Sequence, residues 1–377
     1  MRVYYNRDKM QEKNKMNKII YLDAAATYQK ENAVIDAQVD FLRTHYANAG
    51  RGVCARANYV DSMVARTRDQ VADFIGADSN QIVFCSGTTA GMNMIVNMVC
   101  PQSGVRVAVS DLDHHSARLP WQQSGADIVV CPLDDDFNID INNIPYADIF
   151  VITAMSNVLG IAQDVGAIVR AAKQKNPNVI TVVDAAQFVV HNEIDVRKFD
   201  CDFLCFSGHK IGSDTGIGVM YIKNPNRWSP VMFGGGMVNK IVNDKIVWND
   251  APDVFEAGTL PLTQIAGLGV AIDCIKQNRP DTNLIKYMYD ELVENPKIKI
   301  LSRRDAVILD FVVCDMHVLD FGALIGARGV CLRVGNMCAT WIHNLLNVPG
   351  SIRISVGAYN SFDDVRQTVE YIREIVK

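Results

Sequence analysis

Short, continuous apolar runs alternate with amphipathic stretches along most of the chain. The runs are QIVFC at 81–85, VRVAV at 105–109, DIFVIT at 148–153, VITVV at 179–183, DFLCF at 202–206 and IGVMYI at 217–222. Apolar residues at successive positions, and not only at every second one, suit strands covered on both faces, which predicts a parallel sheet between helix layers. Between the runs the period changes: Val60, Met63, Val64, Thr67, Val71, Phe74 and Ile75 recur on one helical face, and Gly76 supplies the stop. The order is broadly βαβα, so the expected fold class is α/β with an open, doubly wound, mostly parallel sheet. A turn-rich stretch, SPVMFGGGMVNKIVNDK at 229–245, interrupts the rhythm. From about residue 263 the pattern reads helix, short strands, helix. The last helix is signalled by Ser361 as N-cap, Asp364 three residues on, and Val365, Thr368, Val369, Ile372 and Val376 along one face. The expected layout is an arm over 1–28, a large domain over 29–262 and a smaller C-terminal α+β domain over 263–377.

At 377 residues, 49% of them hydrophobic and 21% charged, the chain can bury a large core. Lys plus Arg (37) against Asp plus Glu (42) gives a net charge of −5 with no long basic run, so no nucleic-acid partner is expected. The ten cysteines are scattered through apolar segments, as at Cys85, Cys205 and Cys314, and the first 18 residues carry six Lys or Arg and two acids without an apolar centre. That pattern predicts no signal peptide, reduced thiols and a cytoplasmic location. No 18-residue apolar run marks a membrane span, so no membrane partner is expected either.

In an open α/β sheet ligands bind beyond the carboxyl ends of the strands, so the residues following each apolar run are the ones to inspect. Ser86-Gly87-Thr88-Thr89 follows the first run and opens a helical pattern, as a phosphate seat or an ordinary N-cap would. Asp184, with Gln187 beyond it, ends the fourth run, where a buried carboxylate needs a partner such as a protonated ring nitrogen. Ser207-Gly208-His209-Lys210 ends the fifth run, where burial would lower the lysine pKa toward that of a usable nucleophile. His114 and His115 follow the second run; neighbours in sequence point different ways and bring no further ligand motif, so a flat imidazole for ring stacking is the better expectation than a metal. Ser156-Asn157 ends the third run and offers an amide. Cys201 and Cys205, four apart, are expected on one strand face as core. A phosphate seat, an acid for a pyridinium, a flat imidazole and a lysine amine are together the parts that pyridoxal 5′-phosphate requires.

The residues then resemble a known family, the class V aminotransferase-fold pyridoxal phosphate enzymes and, within them, the group II cysteine desulfurases and selenocysteine lyase-like proteins. The resemblance runs from YLDAAAT at 21–27 to the C-terminal helix. Its most specific stretches are SGTTAGMN (86–93), DHHSARLPWQ (113–122), SNVLG (156–160), VDAAQ (183–187), CDFLCFSGHKIGSDTGIGVMY (201–221), FEAGT (255–259) and RVGNMCA (333–339). It implies the type I fold of pyridoxal phosphate-dependent transferases. By the resemblance, Lys210 is the lysine that joins the cofactor aldehyde. Thr88, Thr89, Ser207 and His209 cradle the phosphate, His114 stacks on the ring, Asp184 pairs the ring nitrogen and Gln187 the ring hydroxyl. Thr259 resembles a threonine that reaches the phosphate of a neighbouring subunit, which implies a homodimer. Arg353 resembles the bidentate clamp for a substrate carboxylate, with Asn157 and Arg333 lining the same pocket. Cys338 resembles the thiol that takes sulfur from L-cysteine as a persulfide, leaving L-alanine, and so implies a sulfur-acceptor protein.

The chain departs from the family pattern at Gly50 and Cys54, where histidines stand, at Asn336 and Met337 before the cysteine, at Ala24 in the opening motif, and at Ser213-Asp214. These departures spare the expected cofactor set and bear on substrate and sulfur acceptor. Two alternatives stay open from sequence: an aminotransferase, epimerase or C–S lyase in which Cys338 is a bystander, and a catalytically silent homologue acting as a scaffold.

Overall fold

The computed structural model describes residues 19–50, 52–99 and 103–377. The expected arm over 1–28 therefore lies, up to residue 18, outside the described residues. A seven-stranded sheet forms the centre, in the order Ile82–Cys85, Gly218–Ile222, Phe203–Ser207, Ile180–Asp184, Ile149–Thr153, Arg106–Val109 and Asp127–Val130. All six expected runs become strands. Neighbouring residues feed opposite layers: Phe203 and Cys205 pack with Val107, Val151 and Met220, while Leu204 and Phe206 pack with Phe150, Ile152 and Val219. Burial on both faces is why these segments are apolar at every position, and each such side chain contributes roughly 1.5–3 kcal/mol.

Three expectations are corrected. Gly218–Ile222 runs antiparallel to both neighbours, because it follows Phe203–Ser207 through a short connection and not a crossover helix. The turn-rich stretch at 229–245 contains a strand, Val238–Val242, which pairs antiparallel with Lys245–Trp248 as a hairpin. Cys201 precedes the strand and packs with Leu204 and Phe206, whereas Cys205 faces the opposite layer, so both are core but on different faces.

The helix Ala55–Ile75 buries the expected face and ends at Gly76, whose φ of 72° is the left-handed turn that glycine favours. The helix Leu262–Gln277 joins the same large core through Ile265, Leu268, Ile272 and Ile275. A second apolar core, around Phe311 and Phe321, lies under the antiparallel sheet Ile298–Ile300, Leu309–Val313, Ser351–Ile354 and Arg333–Gly335. Ser361 and Asp364 form the expected capping box on the helix Phe362–Ile375. The chain start is stitched into this part: Ile20–Tyr21 pairs parallel with Val330–Cys331, and Asp23 bridges to Ser355. That stitch brings the first described residues to the carboxyl edge of the central sheet. Among the described residues no helix is long and apolar enough to cross a membrane.

Candidate active site

Strand ends build the site. Asp184 and Ser207 are the last residues of their strands, Thr88 opens the helix Thr88–Val99, and His114 caps the helix His115–Gln123. With Thr89, Asn157, Gln187, His209 and Lys210 they line one cavity of about 190 Å³. Nine of the expected site residues thus converge. Cys338, Arg333, Arg353 and Thr259 are not part of that lining.

At the phosphate-seat end, Thr88 N donates to Ser207 Oγ at 2.9 Å, and the two hydroxyls are also 2.9 Å apart. Gly87, with φ of +133°, lets the backbone pass here; a Cβ on it would meet Ser207 Oγ at 3.1 Å. His209 Nδ1 lies 3.2 Å from Thr27 Oγ1, and burial, with the nearby Lys210 and Lys30 charges, pushes its pKa down to about 4.

His114 Nδ1 accepts from Ser116 N at 3.1 Å and lies 2.7 Å from Ser116 Oγ. A backbone N–H can only donate, so Nδ1 carries the lone pair and the neutral ring holds its proton on Nε2. Burial, then the charge of Lys210, lowers its pKa to about 4, so the ring is neutral at pH 7. Asp184 is buried and accepts from Ala186 N at 2.9 Å. Burial raises its pKa to about 6 against the pull of that hydrogen bond and of Lys210. Burial, reinforced by Arg353, lowers Lys210 to about 7, with Asp184 and Asp23 opposing. Its Nζ donates to the carbonyl of Ala25, which also accepts from Gln187 Nε2 at 2.6 Å.

Beyond the cavity, Asp23 joins two cations: Arg353 Nη2 donates to one carboxylate oxygen at 3.1 Å and Arg333 Nη2 to the other at 2.6 Å. Arg353 is 3% exposed and also donates from Nη1 to the Asn157 carbonyl at 2.9 Å. The exposed Cys338 rides on a tight turn in which Met337 and Cys338 have φ of 48° and 54°. Two bonds hold this turn: Asn157 Nδ2, in the cavity wall, donates to the Met337 carbonyl at 2.9 Å, and His115 N, next to the lining His114, donates to the Cys338 carbonyl at 2.8 Å. Thr259 is exposed and lines other depressions, beside Glu256 and Gly258.

Sequence reasoning missed Asp23 and the Ala25 carbonyl, although both lie in the YLDAAAT stretch. Asp113, which opens the DHHSARLPWQ stretch but was given no role from sequence, is buried, accepts from Ser110 N, Ser110 Oγ and Thr153 Oγ1, and is raised by burial to about 6. The departure at Asp214 is explained by its partners, Lys30 at 3.1 Å and Gln38.

These residues fit pyridoxal 5′-phosphate. Gln187 Oε1 and Asn157 Oδ1 are buried in the cavity wall without a partner, as acceptors for a ligand hydroxyl or N–H would be. Asp184 lacks a cation matched to its burial, which a ring N–H⁺ supplies. An anion is accommodated by the Gly87–Ser207 cradle at the start of the Thr88–Val99 helix.

Comparison with known proteins agrees. The aminotransferase class-V family pattern matches residues 20–368. The chain is 32% identical to a cysteine desulfurase of Serratia proteamaculans over 95% of this chain and 94% of the relative. It is 33% identical to a probable cysteine desulfurase of Vibrio cholerae, covering 96% and 94%. Two solved structures superpose closely. The apo cysteine desulfurase of Thermococcus onnurineus has a TM-score of 0.90 and 30% identity, covering 96% of this chain and 95% of that one. The Escherichia coli cysteine desulfurase CsdA has a TM-score of 0.87 and 31% identity, covering 95% and 96%. The chain belongs to the aminotransferase class-V family, on its cysteine desulfurase branch.

Proposed function

We propose that this protein is a pyridoxal 5′-phosphate-dependent cysteine desulfurase that takes L-cysteine, releases L-alanine and holds the sulfur as a persulfide on Cys338. The observation that carries this reading is the bond from Asn157 that ties the Cys338 turn to the wall of the Lys210 cavity, reinforced by the bond from His115, the residue next to the lining His114. A bystander cysteine needs no such tether, and the relatives' names favour the same reaction over its alternatives.

Pyridoxal 5′-phosphate, when bound, supplies an electron sink for bond breaking at the substrate Cα. Lys210, part neutral near pH 7, is the amine that would hold the cofactor's aldehyde and would move the proton at the substrate Cα. Asp184 would balance the charge of the ring, and His114, neutral at pH 7, would stack against it. Thr88, Thr89, Ser207 and His209 would hold the phosphate, and Gln187 the ring hydroxyl. Arg353 binds the substrate carboxylate, with Arg333 and Asn157 beside it. The Cys338 thiolate attacks the substrate sulfur: an S–S bond forms, the Cβ–S bond breaks, and the carbon fragment takes up the electron pair and a proton as alanine.

The same reading makes the protein a cytoplasmic homodimer. The exposed position of Thr259, away from its own cavity, supports a role toward a partner's phosphate, and the free thiols of the nine described cysteines support a reducing compartment. The exposed Cys338 is placed to pass sulfur to an acceptor protein. A separate smaller unit is supported by the core around Phe311, but the helix Leu262–Gln277 packs into the large core, so the division falls after Gln277 and not at 262/263 as the sequence pattern suggests. Borohydride reduction of the cofactor-loaded protein should fix the pyridoxyl group on the Lys210 peptide. Label elsewhere, or full colour and label in Lys210→Ala, would overturn the assignment.

A further inference from the structure

Beneath the Cys338 turn three polar side chains form a continuous chain with no access to solvent. His343, Ser351 and Asp310 are 1%, 0% and 0% exposed. His343 Nδ1 lies 2.8 Å from the carbonyl of Ala339, the residue after Cys338. His343 Nε2 is 2.9 Å from Ser351 Oγ, which is 2.8 Å from Asp310 Oδ1. The family motifs and the cofactor cavity use none of the three.

Counting protons settles what the chain holds. A carbonyl only accepts, so His343 Nδ1 must carry hydrogen. If Nε2 is bare, Ser351 donates to it and must itself receive a proton from Asp310. If Nε2 is protonated, Ser351 receives that hydrogen and donates to an Asp310 carboxylate. Both arrangements contain the same number of protons and leave the pair neutral overall. In the structure Ser351 Oγ donates to Asp310 Oδ1, while burial raises Asp310 and lowers His343, so the chain holds one proton that either end can carry.

The far end meets the proposed substrate clamp. Asp310 stands directly opposite Arg353 in the antiparallel pairing, and Arg333 stands opposite Arg353 on its other side. Ser351 is two residues before Arg353 on the same strand, hence on the same face. Thus one end of the chain grips the residue beside the thiol, and the other is built into the strand that presents Arg353.

We infer that Asp310, Ser351 and His343 are positioning residues: a buried, proton-sharing hydrogen-bond chain that locks the Ala339 carbonyl, and with it the left-handed Met337–Cys338 turn, in register with the strand carrying Arg353. The inference rests on the functional reading above for the identity of thiol and clamp. The locked geometry itself does not depend on that reading. Held this way, the sulfur-accepting thiol and the carboxylate clamp keep a fixed separation without touching each other.

The test uses the full-length, cofactor-loaded protein and the variants His343→Leu, Ser351→Ala and Asp310→Asn. Hydrogen exchange of the amides over 336–340 and single-turnover formation of persulfide on Cys338 are measured beside a spectral titration of substrate binding. For His343→Leu and Ser351→Ala, exchange at 336–340 should rise about tenfold and persulfide formation should fall about tenfold, with substrate affinity within about twofold. Asp310→Asn, whose amide still donates to Ser351, should rescue both readouts to near the native values. Ser351→Ala, a small truncation, keeps the test open should His343→Leu fail to fold. Native exchange and native persulfide rates in Ser351→Ala would overturn the inference, as would loss in Asp310→Asn equal to that in His343→Leu. A native protein that forms no persulfide but shows the expected exchange pattern would overturn the functional reading and uphold the lock.

Discussion

Asn157 Nδ2 donates to the carbonyl oxygen of Met337 at 2.9 Å, joining the wall of the lysine cavity to the turn that carries Cys338. Asn157→Ala removes one of the ties on the turn, and a displacement of the thiol by about 1 Å costs roughly 100-fold in rate. Rapid-quench measurement of persulfide formation at saturating cofactor should show a loss of at least about that size, with cofactor affinity titrated beside it because Asn157 Oδ1 also faces the cavity.

Lys210 gives a pH signature. Capture of an aldehyde needs the neutral amine, and burial brings the pKa to about 7. The rate of pyridoxal 5′-phosphate uptake by cofactor-free protein should therefore climb through pH 7 and level off above about 8, instead of rising toward the ~10.4 of an ordinary lysine. Between those two pKa values the unfolded chain binds more protons than the folded one, so the cofactor-free protein should also gain stability as pH rises through that window. Stopped-flow uptake and chemical denaturation across the range check both signs.

Gly87 tests the phosphate cradle. With φ of +133° and only 3.1 Å between an added Cβ and Ser207 Oγ, Gly87→Ala forces the cradle open or strains the backbone by about 1–3 kcal/mol. Spectrophotometric titration should show cofactor affinity lower by about tenfold or more.

Arg68 and Glu256 form a buried bidentate pair at 2.7 and 2.8 Å, and Glu256 Oε1 also accepts from Phe84 N at 2.6 Å. Glu256→Ala strands a buried guanidinium and should cost about 3–5 kcal/mol in urea unfolding, while replacing both residues by apolar ones of similar volume should cost far less.

The central sheet was legible in the sequence because strands covered on both faces are apolar throughout, as at Phe203 to Phe206. Asp127–Val130 was not: it is an edge strand with one neighbour and a partly exposed surface, so its apolar signal is short. The antiparallel turn of Gly218–Ile222 leaves no trace in the apolar pattern, since direction does not alter which positions are buried. Lys210, Asp184, His114 and Ser207 were legible because each lies at or just beyond the end of its strand. Asp23 and Ala25 reach the same site through the pairing of Ile20–Tyr21 with Val330–Cys331, a contact between distant parts of the chain that local pattern does not encode. The Asp310–Ser351–His343 chain was hidden for the same reason.

Sulfur on Cys338 is the most direct test of the assignment. After brief exposure of the purified, cofactor-loaded protein to L-cysteine without reductant, peptide mass analysis should find one added sulfur atom on the Cys338 peptide, with alanine formed in equal amount. A Cys338 peptide of unchanged mass, with alanine and sulfide released as fast from Cys338→Ala as from the native protein, would contradict it.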